Sequence, residues 1–181
     1  NIDLYITAPQ KGWSSPASCG VIMVGERAHD KIKNTTSNSF ILDLNKWLDV
    51  TDAYNNNDYL YHCTVPTDSI ICFSEAVQET IDFGLDKAKV NALRIGSEIR
   101  KILESNGFNS IVEDKYKAPT VIVSQCKNNM VEDFKEKGLQ VTGFVPFMLN
   151  EPKNVHTFRI GLFGLDKLAN PEKVIKDFRN I

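Results

Sequence analysis

LYITAPQKGWSSPASCGVIMV, Leu4 to Val24, holds two apolar runs separated by a loop of small residues. The first run starts earlier, at Ile2, and alternates with period two through Thr7, the pattern of a β-strand. The second, Gly20 to Val24, is a short continuous apolar run, which predicts a strand buried on both faces of a sheet. Ala8-Pro9 ends the first strand, and Gly, Ser and Pro fill the loop to about Ser18. Lys11 stands alone in that loop. Open α/β sheets place their ligands in loops at strand ends, and Gly12, Ser14 and Ser15 have no bulk to keep a ligand away. An amine there could condense with an aldehyde once free of its proton, which burial or a nearby cation favours. A solvated lysine beside a turn is the commoner arrangement, because buried lysines are rare.

Outward from this stretch, Glu26 to Lys33 and Asp43 to Tyr54 read as helices, the second with Leu44, Trp47 and Leu48 on one side and Asp43 at its start. Tyr59 to Thr67 is a loop. Pro66 and Asp68 then suit the first turn of a helix carrying Ile70, Phe73, Val77 and Ile81. From Gly84 a longer helix begins, with Leu85, Ala88, Ala92, Ile95, Ile99 and Leu103 on one stripe and Asn106-Gly107 as its stop. Strands are expected at 120–124, 139–144 and 158–163, and helices at 131–137 and 171–178. The fold class is α/β. A boundary near Phe83-Gly84 divides the chain into residues 1–83, part of a sheet domain, and residues 84–181, a small α/β unit with helices on one face of an antiparallel sheet. The chain opens without Met, directly on a strand, and a lone strand lacks a partner. Further residues upstream are therefore expected, with other strands of the first sheet among them.

Composition narrows the function. The 181 residues are 42% hydrophobic and 24% charged, enough to bury a core, and the net charge of -2 argues against nucleic acid or an acidic membrane as the main partner. No apolar run reaches the roughly 18–20 residues of a membrane span, and the opening residues lack a signal-peptide pattern. Cys19, Cys63, Cys72 and Cys126 form no metal-ligand or disulfide pattern, so no metal is expected, and a reducing, cytoplasmic compartment is.

Four segments, in order, carry a resemblance. Tyr5-Ile6-Thr7-Ala8-Pro9-Gln10-Lys11, with Pro16 and Gly20 to Val24, resembles the lysine signature of class V aminotransferases, with Pro9 where the usual form has Ser. Phe40-Ile41-Leu42-Asp43 resembles the segment before the next helix. Tyr61-His62-Cys63-Thr64-Val65-Pro66 resembles the family's Tyr-His-His-Thr-x-Pro loop, with Cys63 for the second His. Phe158-Arg159-Ile160-Gly161-Leu162-Phe163-Gly164 resembles its C-terminal Arg-x-Gly segment. The similarity spans almost the whole chain and is closest to the alanine–glyoxylate and serine–pyruvate aminotransferase subgroup.

The resemblance implies the C-terminal part of a type I pyridoxal-phosphate (PLP) aminotransferase fold: a remnant of the large sheet domain plus a small α/β domain. It implies that Lys11 is the catalytic lysine that holds PLP, that Gln10 hydrogen-bonds the phosphate, and that Tyr61 and Thr64 reach the phosphate of the neighbouring subunit of a homodimer. Arg159 would grip the substrate carboxylate in a two-bond fork that lysine cannot copy, partly buried among Phe158, Ile160, Leu162 and Phe163. The implied reaction passes an amino group from an amino acid, alanine or serine, to a 2-oxo acid, glyoxylate or pyruvate. The acid that pairs with the cofactor ring and the main phosphate cradle would lie upstream, so this stretch alone is expected to hold only part of the site. Two alternatives stay open. One is a cysteine desulfurase with Cys126 as nucleophile, although Gln10 stands where desulfurases favour His. The other is a non-catalytic portion that contributes a dimer surface.

Overall fold

The two apolar runs that opened the sequence pair with each other. Strand β1 (Leu4–Thr7) lies antiparallel to β2 (Val21–Val24), Leu4 opposite Val24 and Thr7 opposite Val21. The Gly25 amide donates to the Asp3 carbonyl at 2.9 Å, and Arg27 grips the Asp3 carboxylate with Nε and Nη2, both at 2.7 Å. This is a computed structural model; it describes residues 2–127, 130–144, 150 and 155–181. The chain divides into two units, Asn1–Gln10 with Ser15–Ser74, and Lys11–Ser14 with Glu75–Ile181.

In the first unit, helix α1 (Glu26–Ile32) follows β2, and α2 (Leu44–Asn55) starts at Asp43, whose carboxylate accepts from the amides of Asn45 and Lys46. Capping of this kind satisfies amides that the helix itself leaves unpaired. Lys33, just past α1, donates to Asp49 and Asp52 of α2, each at 3.0 Å, and ties the two helices together. Few apolar side chains are sealed in this unit: Ala28 and Ile32 are, while Leu4, Tyr5, Ile6, Ile22 and Met23 are exposed. Burial of the 20–24 run on both faces is therefore not observed. A continuous apolar run marks a strand that can be covered twice, but β2 has one strand neighbour among the described residues and its Ile22 and Met23 stay open. Helix α3 (Thr67–Phe83) begins after Pro66 and continues into the second unit.

The expected junction at 83/84 is the break between α3 and α4 (Leu85–Ser105), where Gly84 takes φ +102, and the division between units falls earlier, between Ser74 and Glu75. The predicted stripe on α4 is the buried one: Ala88, Ala92, Ile95, Ile99 and Leu103 all face the core, and only Leu85 at the helix start is exposed. The stripe packs on an antiparallel sheet of order β3-β5-β4, made of β3 (Val121–Cys126), β4 (Thr142–Gly143) and β5 (His156–Gly161). Ile122 pairs with Ile160 and Ser124 with Phe158, which places all four on the inner face. The rings of Phe108, Phe134 and Phe158 cluster there with centroids 4.9–6.0 Å apart. Helices α5 (Val131–Glu136), α6 (Leu165–Leu168) and α7 (Pro171–Arg179) add Phe134, Leu168 and Phe178 to the same core.

Two strands differ from expectation. The 139–144 strand is reduced to Thr142–Gly143, because Phe144 adopts φ +44 and leaves extended geometry. The last strand is shifted to His156–Gly161, ahead of a turn at Gly164. Close approach also shapes α4: a Cβ on Gly96 would run into the Pro119 carbonyl, so glycine lets the 118–121 segment lie against the helix. Arg100, one turn on, donates from Nη2 to the carbonyls of Ala118 and Val121. Among the described residues no helix is long and apolar enough to cross a membrane.

Candidate functional site

Lys11 sits at the first position of a tight turn directly after β1. The Ser14 amide closes the turn on the Lys11 carbonyl at 3.0 Å, and the Ser15 amide donates to the Pro9 carbonyl at 3.1 Å. Pro9 is fully buried and anchors the loop, while Gln10, Lys11 and Gly12 are exposed at its rim. Ser15 Oγ is buried with no hydrogen-bond partner among the described residues. The Lys11 amine makes neither a hydrogen bond nor an ion pair among them, which sets it apart from lysines such as Lys33 and Lys117 that are tied to two carboxylates each. The amine is not enclosed: the residues around it, Gly12 and Ser14, are too small to cover it, and the dryness that imine chemistry favours is not supplied by this loop.

Tyr61 and Thr64 do converge. Their hydroxyls are 3.1 Å apart on an exposed loop of the first unit. What holds that loop is His62, whose Nε2 meets the Phe40 carbonyl at 3.0 Å while its ring packs against Phe40 at 4.4 Å and meets the edge of Trp47 at 5.1 Å. Trp47 in turn donates from Nε1 to the Ile41 carbonyl at 2.7 Å. So the 40–41 segment, which the sequence picked out only as similar, is the seat of the hydroxyl pair. Gln10 belongs to the same unit as Tyr61 and Thr64; Lys11 and Arg159 belong to the other.

Arg159 lies on β5 between Phe158 and Ile160, both buried, so strand alternation turns it to the opposite face. It pairs across the sheet with Val123 on one side and Thr142 on the other. The expectation of a partly buried guanidinium is not met, because the bulky neighbours in sequence point the other way and Arg159 is exposed. On the same face Gly161 is exposed, and the ring of Phe163 comes within 3.1 Å of where a Cβ at 161 would stand.

Cys126 closes β3, half-buried. Burial pushes its thiol up, opposed by the backbone hydrogen bond at Met130. A thiol held protonated is a poor nucleophile, which weighs against the desulfurase alternative. Taken one by one, a primary amine can condense with an aldehyde, a pair of hydroxyls can bond anionic oxygens, and a planar guanidinium can fork onto a carboxylate. Sequence reasoning passed over Arg100, although Ala92, Gly96 and Arg100 recur every four residues on the buried stripe. It also passed over the structural task of His62.

No protein-family model matches the chain, and no curated protein does. Solved structures do match. Alanine–glyoxylate aminotransferase from Nostoc sp. superposes with a TM-score of 0.76 at 19% identity, over 99% of this chain and 48% of that one. An aspartate aminotransferase from Thermus thermophilus gives 0.75 at 17% identity, again over 99% and 48%. Ureidoglycine–glyoxylate aminotransferase from Bacillus subtilis gives 0.71 at 21% identity, with the same coverage. This chain therefore has the α/β fold of about half of an aminotransferase chain and spans about half the length of the structures it resembles.

Proposed function

On the premise of that fold, we propose that the chain is the C-terminal part of a PLP-dependent aminotransferase that moves an amino group between alanine or serine and a 2-oxo acid, glyoxylate or pyruvate. Bound PLP would supply the electron sink that makes the substrate Cα proton removable. Lys11 would hold the cofactor through its Nζ and, when its amine is free, would serve as general base and then general acid for the substrate Cα proton. Gln10 donates to the cofactor phosphate. Tyr61 and Thr64, whose hydroxyls are 3.1 Å apart, bind phosphate from the partner subunit of a homodimer. Arg159 binds the substrate carboxylate in a bidentate fork and so orients the Cα–H bond. The open β1–β2 hairpin is covered in the whole protein by the rest of the large domain.

The observation that carries this reading is Lys11: an amine with no partner among the described residues, preceded by Gln10 and set in a closed turn directly after β1. The test is capture. The full-length protein of which this chain would be a part is incubated with PLP, reduced with borohydride, and digested for mass spectrometry, since the 181 residues alone are expected neither to bind PLP tightly nor to transaminate. The expected adduct is on Lys11, lost in Lys11→Arg. A mark on other lysines alone, or none, overturns the reading. Sulfide release from cysteine without transamination of alanine or serine would move the assignment to the desulfurase class.

A further inference from the structure

The turn that carries Lys11 belongs with the second unit, and in that unit Ser14 meets Gly164. Ser14 has φ +51, a left-handed conformation that is strained for a residue with a Cβ. Its Oγ stands in the volume that a Cβ on Gly164 would need, and Asp166 Oδ1 lies 2.5 Å from the same position. Gly164 itself has φ +109 and caps α6, shortly after Arg159 on β5. Ser14 also supplies the amide that closes the turn on the Lys11 carbonyl.

We infer that Gly164 is the seat of the Lys11 turn: the missing side chain at 164 admits Ser14, and the seated Ser14 fixes the carrier of the amine relative to the strand that bears Arg159. Gly164 and Ser14 are thus positioning residues that act through Lys11. What the amine does rests on the proposed function; the seat rests on packing alone. That independence decides the choice of experiment.

Two readouts are taken on the same variants. Deuterium labelling of the turn amides, above all the Ser14 amide that donates to the Lys11 carbonyl, followed by mass spectrometry, reports whether the turn stays closed without any cofactor. Borohydride capture of PLP reports its use. Gly164→Ala overfills the seat, and overpacking of this kind forces neighbouring groups to shift. The expectation is labelling of the Ser14 amide about tenfold faster together with a loss of capture. Adding Ser14→Gly removes the colliding hydroxyl and suits φ +51, so the double variant returns both readouts towards wild type. Neither the strain at φ +109 nor the Asp166 carboxylate near the same position can be relieved from position 14, so the rescue expected is partial and any return supports the seat, while Ser14→Asn gives the result that can overturn it. Should Gly164→Ala fail to fold, Ser14→Asn decides: asparagine tolerates the left-handed conformation but is too long for the space. Unchanged labelling of the turn amides in Ser14→Asn refutes the inference, and a change supports it. A wild-type protein that captures no PLP while the labelling pattern holds would refute the enzymatic reading and leave the seat standing.

Discussion

Phe158, Ile95, Ile99 and Ile122 in the second unit have essentially no contact with solvent, whereas in the first unit a hairpin of equally apolar residues leaves Ile6 70% exposed and Met23 half open. The two regions contain the same kinds of side chain in recognisable strands and helices. They differ in closure. In the second unit a long helix covers a three-stranded sheet, and the remaining helices fill its margins. In the first unit the visible ties are polar: the Asp3–Arg27 fork, the Asp43 cap, the Lys33 bridge to α2, and the His62 clamp. Hydrophobic burial is worth about 25 cal/mol per Å² only where water is removed. Apolar composition therefore predicts stability in one unit and an open surface in the other.

The largest expected effect tests that contrast directly. Phe158→Ala empties a position at 0% exposure between two other aromatic rings and should cost about 3–5 kcal/mol in urea unfolding followed by circular dichroism. Ile6→Ala, in an exposed strand position, should change stability by no more than about 0.5 kcal/mol. Equal effects would mean that the first unit is sealed in solution by something that covers β1, and the contrast would then belong to the isolated chain alone.

An intermediate effect separates two arginines of the second unit. Arg100 is buried on α4, where burial lowers its pKa against the opposing pull of Glu104, and its guanidinium satisfies two backbone carbonyls. Arg100→Met leaves those carbonyls without their donor and should cost about 1–3 kcal/mol in stability with little change in substrate affinity. Arg159 stands exposed on the other face of the sheet. Arg159→Met should leave unfolding almost unchanged and, if the arginine binds the substrate carboxylate, raise KM about tenfold or more. The opposite pattern would exchange the roles assigned to the two residues.

How much of this was legible in sequence depends on which physical signal each feature leaves. The α4 stripe was readable because 3.6-residue periodicity persists over the helix, and the core follows it from Ala88 to Leu103. Arg100 was readable on the same grounds, since it lies four residues after Gly96 on that stripe. The outward direction of Arg159 was legible too: Phe158 and Ile160 both face inward, and period two then turns Arg159 away. Judging its burial from sequence neighbours ignored that parity. The exposure of β2 was not readable, because GVIMV records what the strand can bury and not what lies beside it. The early end of the 139–144 strand was hidden in a backbone angle at Phe144. The Ser14–Gly164 contact joins residues far apart in sequence through a side chain that is missing, which leaves no pattern to read. Gln10, Lys11, Tyr61, Thr64 and Arg159 came from motif resemblance; folding adds that Tyr61 and Thr64 share one spot and that Lys11 and Arg159 share one unit.

The smallest expected effect probes the polar ties of the first unit. Lys33 hydrogen-bonds Asp49 and Asp52, which raises its own pKa and, as the first cause, lowers that of Asp49. The carboxylate contributes stability above its unfolded pKa of about 4 and loses it as pH falls through the lower folded value. The ammonium contributes below its unfolded pKa of about 10.4 and loses it as pH rises through the higher folded value. Between those limits the α1–α2 tie is intact. Trp47 lies on α2 beside it, so in a Trp13→Phe background its fluorescence reports this unit alone. Acid should shift the Trp47 signal before the circular dichroism of the second unit changes, and Asp49→Asn should remove most of that early acid response while weakening the tie slightly at neutral pH. High salt should mimic the substitution, because both partners are partly exposed to solvent and are screened. A Trp47 transition that ignores acid, salt and Asp49→Asn alike would show that packing, and not charge, holds α1 to α2, and the difference between the two units would then lie only in the hairpin.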